Sequence, residues 1–186
     1  MNEFVFPIND GCGVLVGDLL VTAAHVVNEC DSRLFIGGKK ICLRKEEALL
    51  LKYKQVEDGA DVAVFRLSGY KSPIEFDDSL PEKDMLLECL SLEYNVEGGL
   101  RMGRVTLNKS EKPYRLLQCQ ATIEEIAGNF FQCKTSVVLK PGSSGSPVFR
   151  NGKLFGILHG GREGTDLCVF QSSSSILSLI RKVVEM

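Results

Sequence analysis

Tryptophan is absent from this chain, histidine occurs only twice and proline six times in 186 residues. With no tryptophan to stack on and no basic cluster interleaved with aromatics, the sequence offers no platform for nucleic acid. Charge of one sign is also lacking: 22 basic against 24 acidic residues leave a formal charge of -2, too little to draw in nucleic acid or an anionic membrane surface. No stretch approaches the roughly 18 to 20 apolar residues that a membrane-crossing helix needs. The first ten residues carry acids and a proline instead of a basic patch followed by an apolar run, so no secretory signal is visible. A soluble cytoplasmic chain is expected, either free or excised from a longer precursor. Seven cysteines are present, but none has the C-x-x-C spacing that zinc sites use. Their odd number and scatter predict free thiols acting as small hydrophobes in a reducing compartment. The acid pairs Asp77-Asp78 and Glu124-Glu125 suit solvated loops, so neither metal nor cofactor is expected.

What the chain does have is 44% hydrophobic residues, enough for a packed core, arranged as short Val, Leu, Ile and Phe runs between Gly, Asp, Asn and Pro. That punctuation predicts an all-β sandwich or barrel. Strands are expected at Val14 to Val16, Leu19 to Thr22, Arg33 to Ile36, Lys40 to Arg44, Glu47 to Tyr53 and Val62 to Leu67. A second set follows a polar, Pro-containing connection through Pro81: Met85 to Leu92, Leu100 to Leu107, Tyr114 to Ala121, Asn129 to Cys133, Pro147 to Phe149, Lys153 to His159 and Leu167 to Gln171. Two units result, residues 1–75 and 76–186. Only Ser174 to Met186 has helical spacing, with Ile176, Leu177, Ile180, Val183 and Val184 at steps of three and four and Ser174 or Ser175 as cap. This closing helix is expected to pack on the second unit.

Three short segments carry chemistry. In Pro141-Gly142-Ser143-Ser144-Gly145-Ser146-Pro147 a serine stands between glycines, as a nucleophilic hydroxyl must if backbone N–H groups are to converge on the oxygen of a tetrahedral intermediate. Gly142 and Ser144 would supply those donors, and Gly145 would leave room for the substrate's acyl group. In Val21-Thr22-Ala23-Ala24-His25-Val26-Val27 the paired alanines let the chain turn after a strand, so that the His25 ring can leave the packed face. In Gly59-Ala60-Asp61-Val62-Ala63-Val64-Phe65 an acid opens an apolar strand, where it can accept an N–H from an imidazole and fix its tautomer; Asp58 is a nearby alternative. Taken singly, a core histidine, a turn-forming aspartate and a Gly-Ser loop are ordinary features. Their order puts His25 and Asp61 on the first unit and Ser144 on the second.

Together Thr22-Ala23-Ala24-His25, Asp61-Val62-Ala63-Val64 and Gly142-Ser143-Ser144-Gly145-Ser146-Pro147 resemble the signature blocks of trypsin-like and chymotrypsin-like serine peptidases. The likeness extends through Gly156-Ile157-Leu158-His159-Gly160-Gly161 and covers nearly the whole chain. It implies two six-stranded antiparallel β-barrels of the chymotrypsin-like fold with a C-terminal helix over 174–186. It implies a serine endopeptidase with His25 as base, Asp61 as its orienting group, Ser144 as nucleophile, and Gly142 and Ser144 N–H groups as oxyanion hole. Protein or peptide substrates would pair with the backbone from Leu158 to Gly161, with Leu139, Leu158, His159, Gly160 and Gly161 binding them; the resemblance identifies no regulatory partner. Ser143 stands where activation by a freed N-terminus needs an aspartate, and Val26 replaces a disulfide cysteine, so the closer likeness is to bacterial-type and viral members. The pocket floor falls near Val138 and Leu139 without a carboxylate, which speaks against cleavage after Arg or Lys. Whether His159 selects an acidic side chain or is structural beside an apolar pocket stays open, because a one-residue slip on a strand reverses its facing. Two other readings share these residues: a viral polyprotein-processing domain, and a non-catalytic module that binds peptides on the same scaffold.

Overall fold

In the computed structural model, the described residues are 2–27, 32–54, 59–94, 101–107, 110–140 and 142–185. Cys30, Asp58, Leu100, Pro141 and Met186, which figure in the sequence reading, lie outside them. Two antiparallel sheets form. The first contains β1 (Val5–Ile8), β2 (Gly11–Val16), β3 (Leu19–Thr22), β4 (Ser32–Ile36), β5 (Lys39–Leu43), β6 (Leu50–Lys54) and β7 (Ala60–Arg66), in the order β5-β4-β1-β2-β3-β7-β6. A short helix, α1 (Ala24–Val27), follows β3. The second contains β8 (Leu86–Tyr94), β9 (Arg101–Leu107), β10 (Ser110–Ala127), β11 (Phe130–Thr135), β12 (Pro147–Arg150), β13 (Lys153–Gly161) and β14 (Leu167–Ser172), in the order β11-β14-β13-β12-β8-β10-β9. The helix α2 (Ser173–Val184) ends the chain.

The chymotrypsin-like fold is as expected, with a difference in strand count. In the second sheet β11 also pairs with β10, which closes a barrel of six strands and leaves β9 as an outer extension. The first is a curled sheet of seven strands, its extra member being β1, which the sequence reading did not anticipate. Pro7 within β1 argues against a strand because it cannot donate to a ladder. The strand survives because β1 meets β4 at the single pair Ile8 and Leu34, while its continuous ladder is with β2.

Apolar side chains of both sheets meet in one core: Val14, Val21 and Val62 pack in the same cluster as Leu90, Phe149 and Ile157. Ile176 and Ile180 of α2 join this cluster, so the helix closes the shared core as well as flanking the second barrel. Its cap is Ser172, whose hydroxyl accepts from the Ser175 N–H, two or three residues earlier than the sequence spacing implied. Backbone bonds tie the sheets at the turn before β12, where Cys12 N–H donates to the Ser144 carbonyl at 2.8 Å. All six described cysteines are free thiols, and Cys42 alone among them is exposed.

Candidate active site

His25, Asp61 and Ser144 come together between the sheets. Ala23 and Ala24 are fully buried, and their small side chains let β3 pass directly into the turn of α1 that presents His25. Asp61 is the second residue of β7 and is fully buried. Its Oδ1 accepts the backbone N–H of His25 at 3.0 Å and its Oδ2 lies 2.5 Å from His25 Nδ1. From the second barrel, Gln171 Oε1 accepts the Asp61 backbone N–H at 2.8 Å, and Asn129 Nδ2 donates to the Gly59 carbonyl at 3.0 Å. Gln171 and Asn129 thereby brace the loop that delivers the carboxylate; sequence reasoning passed over both, since an amide in a strand or turn carries no local signature.

Ser144 stands in a turn whose flanks, Gly142 and Gly145, have φ of +100° and +86°. Both values lie where a side chain is strained. A Cβ on Gly142 would also come within 2.7 Å of the Tyr94 ring. On Gly145 it would overlap the Cys12 carbonyl oxygen, so the close approach of the two sheets itself requires a glycine here, a reason the sequence did not show. Beneath the turn the Ser146 hydroxyl binds the Ser143 carbonyl and Ser91. Among the described residues, neither the Gly142 nor the Ser144 N–H has an intramolecular acceptor.

His25 and Ser144 line one cleft of about 410 Å³ together with Leu139, Leu158, Gly160 and Gly161. No hydrogen bond among the described residues joins the Ser144 hydroxyl to the His25 ring. Each of the residues expected to bind substrate therefore borders the cleft. Val138 does not; it is 45% exposed. The β12 ladder along β13 runs to Ile157 and is continued by the Gly145 N–H donating to the Leu158 carbonyl and the Leu158 N–H donating to the Ser146 carbonyl, both at 2.8 Å. The Leu158 backbone is therefore engaged, contrary to the sequence expectation that it pairs with substrate, and the edge left beside the cleft begins at His159.

His159 lines this cleft too, yet its Nδ1 lies 2.5 Å from Asp61 Oδ2, the same oxygen that His25 meets. The β13–β14 register shifts between Leu158 and Gly160, so His159 is the extra residue of a β-bulge, a device that re-aims a side chain. Burial of Asp61 pushes its carboxyl up, but the hydrogen bonds from His159 and His25, the charge of His25 and its backbone N–H outweigh this and hold it at about 2. An ionised carboxylate only accepts, so each Nδ1 must carry its proton, and each neutral ring keeps a bare Nε2. The ligand atoms of His25, Asp61 and His159 all lie within 4.8 Å of one another, the spacing of a possible metal site. However, zinc ligands at about 2.0–2.1 Å in tetrahedral array stand roughly 3.3 Å apart. The two 2.5 Å separations are hydrogen-bond lengths, so the trio is closed on itself as it stands. Cys168, also on the cleft, has its thiol pushed up to about 11 by burial, which leaves it protonated and a poor nucleophile near neutrality.

The chain belongs to the trypsin-like peptidase family: the trypsin-like peptidase domain matches residues 11–157. No curated protein sequence matches it at a significant level. Among solved structures it is similar to Rv3671c of M. tuberculosis, at 15% identity and a TM-score of 0.65 over 99% of this chain and 88% of that one. It is similar as well to the scabies mite inactivated protease paralogue S-D1, at 14% identity and a TM-score of 0.69 over 99% and 93%. Kallikrein-related peptidase 10 gives 15% identity and a TM-score of 0.68 over 98% and 96%. At such identities the likeness is one of fold.

Proposed function

We propose that this peptidase-family chain is an active serine endopeptidase working through an acyl-enzyme. Ser144 Oγ adds to the carbonyl carbon of the scissile amide while His25 Nε2 takes its proton; the Gly142 and Ser144 N–H groups receive the resulting oxyanion. The intermediate collapses, the C–N bond breaks, and His25 returns the proton to the leaving amine. Water then repeats the sequence and releases the acid. Asp61 holds the His25 tautomer and stabilises the imidazolium. The observation that carries this reading is the Asp61–His25 contact facing the cleft that Ser144 shares, with two unengaged amides beside it. The missing Ser144–His25 bond does not weigh against it, because such bonds tighten when substrate excludes water.

The peptide is read as docking along the free edge of β13 as an added strand. Its cleaved residue is read as small to medium and apolar, since Leu139 and Leu158 wall the cleft and His159 has committed its Nδ1 to Asp61. A fluorophosphonate probe tests the central claim. The folded protein should be labelled on Ser144, as located by peptide mapping, and Ser144→Ala should stay unlabelled. A folded wild-type chain that resists the probe would leave this scaffold as a peptide-binding module.

A further inference from the structure

The helix α1, which carries His25, has four residues, too few to hold a helical turn without outside support. We infer that Asn9, in the turn between β1 and β2, is a positioning residue for His25: its side-chain amide tethers the end of α1 and so sets the reach from the His25 ring to Ser144. The inference deepens the peptidase reading and its kinetic arm rests on that reading; its hydrogen-exchange arm does not.

Three observations carry it. Both hydrogens of Asn9 Nδ2 are used, one donated to the Val26 carbonyl at 2.9 Å and the other to the Ser32 hydroxyl at 2.8 Å. Asp61 accepts the His25 N–H at the start of α1, so the helix is held at both ends, and the second hold is Asn9. It is not covalent: Cys12 is a free thiol and Val26 has no sulfur to pair with it. The backbone of Asn9 is the next observation. It is the first of two turn residues between the paired Ile8 and Gly11, and its φ is +50°. Glycine would take that φ without strain, so the turn by itself gives no reason for a side chain here. What asparagine adds is the amide on Val26. Finally, the same turn is pinned to the nucleophile. A Cβ on Gly11 would stand 2.7 Å from Val26 Cγ2 and 3.0 Å from the Ser144 carbonyl oxygen, so Gly11 lies between the two arms of the site. The Gly11 carbonyl accepts the Tyr94 hydroxyl of β8, and the Cys12 N–H donates to the Ser144 carbonyl at 2.8 Å. Residues 9–12 therefore form a spacer, bound to the histidine helix through Asn9 and to the serine turn through Cys12. Releasing the Asn9 end frees α1 to shift while Ser144 keeps its place, and a displacement of about 1 Å between reacting groups costs on the order of 100-fold in rate.

The test uses Asn9→Gly, which removes the amide and relieves the backbone, and Asn9→Asp, which keeps the shape but sets a carboxylate, an acceptor only, against the Val26 carbonyl. Were Asn9 a turn former alone, glycine would serve as well or better. As a positioning residue, it should cost about 10- to 100-fold in kcat when replaced by either, with KM little changed. An unchanged kcat in Asn9→Gly, or a loss confined to KM, would overturn the inference. Hydrogen exchange read by mass spectrometry decides the tether without turnover. The His25 and Val26 amides, bonded to Asp61 and to the Ala23 carbonyl, should exchange at least about tenfold faster in Asn9→Gly, while β3 and β7 exchange as in wild type. Faster exchange spread evenly over the first sheet would make Asn9 a general stabiliser and overturn its positioning role. Should the wild type resist the fluorophosphonate while α1 alone loosens in Asn9→Gly, the peptidase reading falls and the tether stands. A wild type that takes the probe, with α1 exchange the same in Asn9→Gly, leaves the peptidase reading standing and removes the tether.

Discussion

Replacing Asp61 by Asn changes one atom's chemistry and almost no volume, so its effect isolates the proton arrangement. The amide offers one acceptor oxygen where the carboxylate offers two. With that oxygen on the His25 backbone N–H, the NH₂ group falls at the Oδ2 position, facing two Nδ1 atoms that now both carry protons. The conflict is relieved only if both rings switch to the Nε2–H tautomer. His25 then presents a proton to Ser144 in place of a lone pair, and base catalysis stops. The expected loss in kcat is on the order of 10⁴, the size found for the same change in the well-characterised triad. Stability should fall too. The Asp61 carboxyl is held at about 2 against an ordinary 3.8, which amounts to about 2 kcal/mol in favour of the folded state above the unfolded value. Because the folded value is the lower one, this contribution is complete at neutral pH and fades as pH drops from about 4 through 2. Urea unfolding should therefore show Asp61→Asn less stable than wild type at pH 7, the gap closing toward pH 2. A folded variant that keeps more than a tenth of wild-type kcat would refute the tautomer argument. An equal stability gap at pH 7 and pH 2 would refute the assignment of the charge.

Gly145→Ala should cost upward of about 2 kcal/mol in urea unfolding, because φ of +86° is unfavourable for alanine and its Cβ would overlap the Cys12 carbonyl oxygen that β2 cannot withdraw; a midpoint equal to wild type would show that the sheets separate more easily than the Cys12–Ser144 bond implies. On matched peptides differing only at the cleaved residue, Leu or Val should exceed Glu by at least about tenfold in kcat/KM, the scale of a few buried methylenes; a preference for Glu would mean that His159 turns to substrate through Nε2.

Much of the site was legible in the sequence because it is built from local turn chemistry. Gly142 and Gly145 announce positive φ, Ala23-Ala24 announces a strand that can turn at once, and Asp61 precedes an uninterrupted buried run. Most strands were legible for a similar reason, each being a short apolar run between breakers. What escaped depended on distant partners. Strand β10 runs 18 residues, longer than its apolar core at 114–121, because successive parts of it pair with β9, β8 and β11 and a bulge between Ile123 and Glu125 bends it around the barrel. No window of its own sequence encodes three different neighbours. Gly145 was read only as leaving room for substrate, since only the folded chain brings the Cys12 carbonyl against it.

His159 shows the limit most clearly. Alternation along Lys153 to Gly161 assigns each side chain to a face, and the one residue that matters most there lies where alternation fails. A bulge costs a ladder pairing, and nothing within β13 repays it. The return comes from the other sheet, as a charged hydrogen bond to an aspartate 98 residues earlier in the chain. Such a feature persists only while the two sheets are docked, and their docking in turn depends on the Gly145 approach, the Gln171 amide and the shared apolar core. Site and interface are therefore one structure: a substitution that loosens the sheets should reach His25 through Asp61 before it exposes the core, and activity should be lost at lower urea than the global unfolding transition.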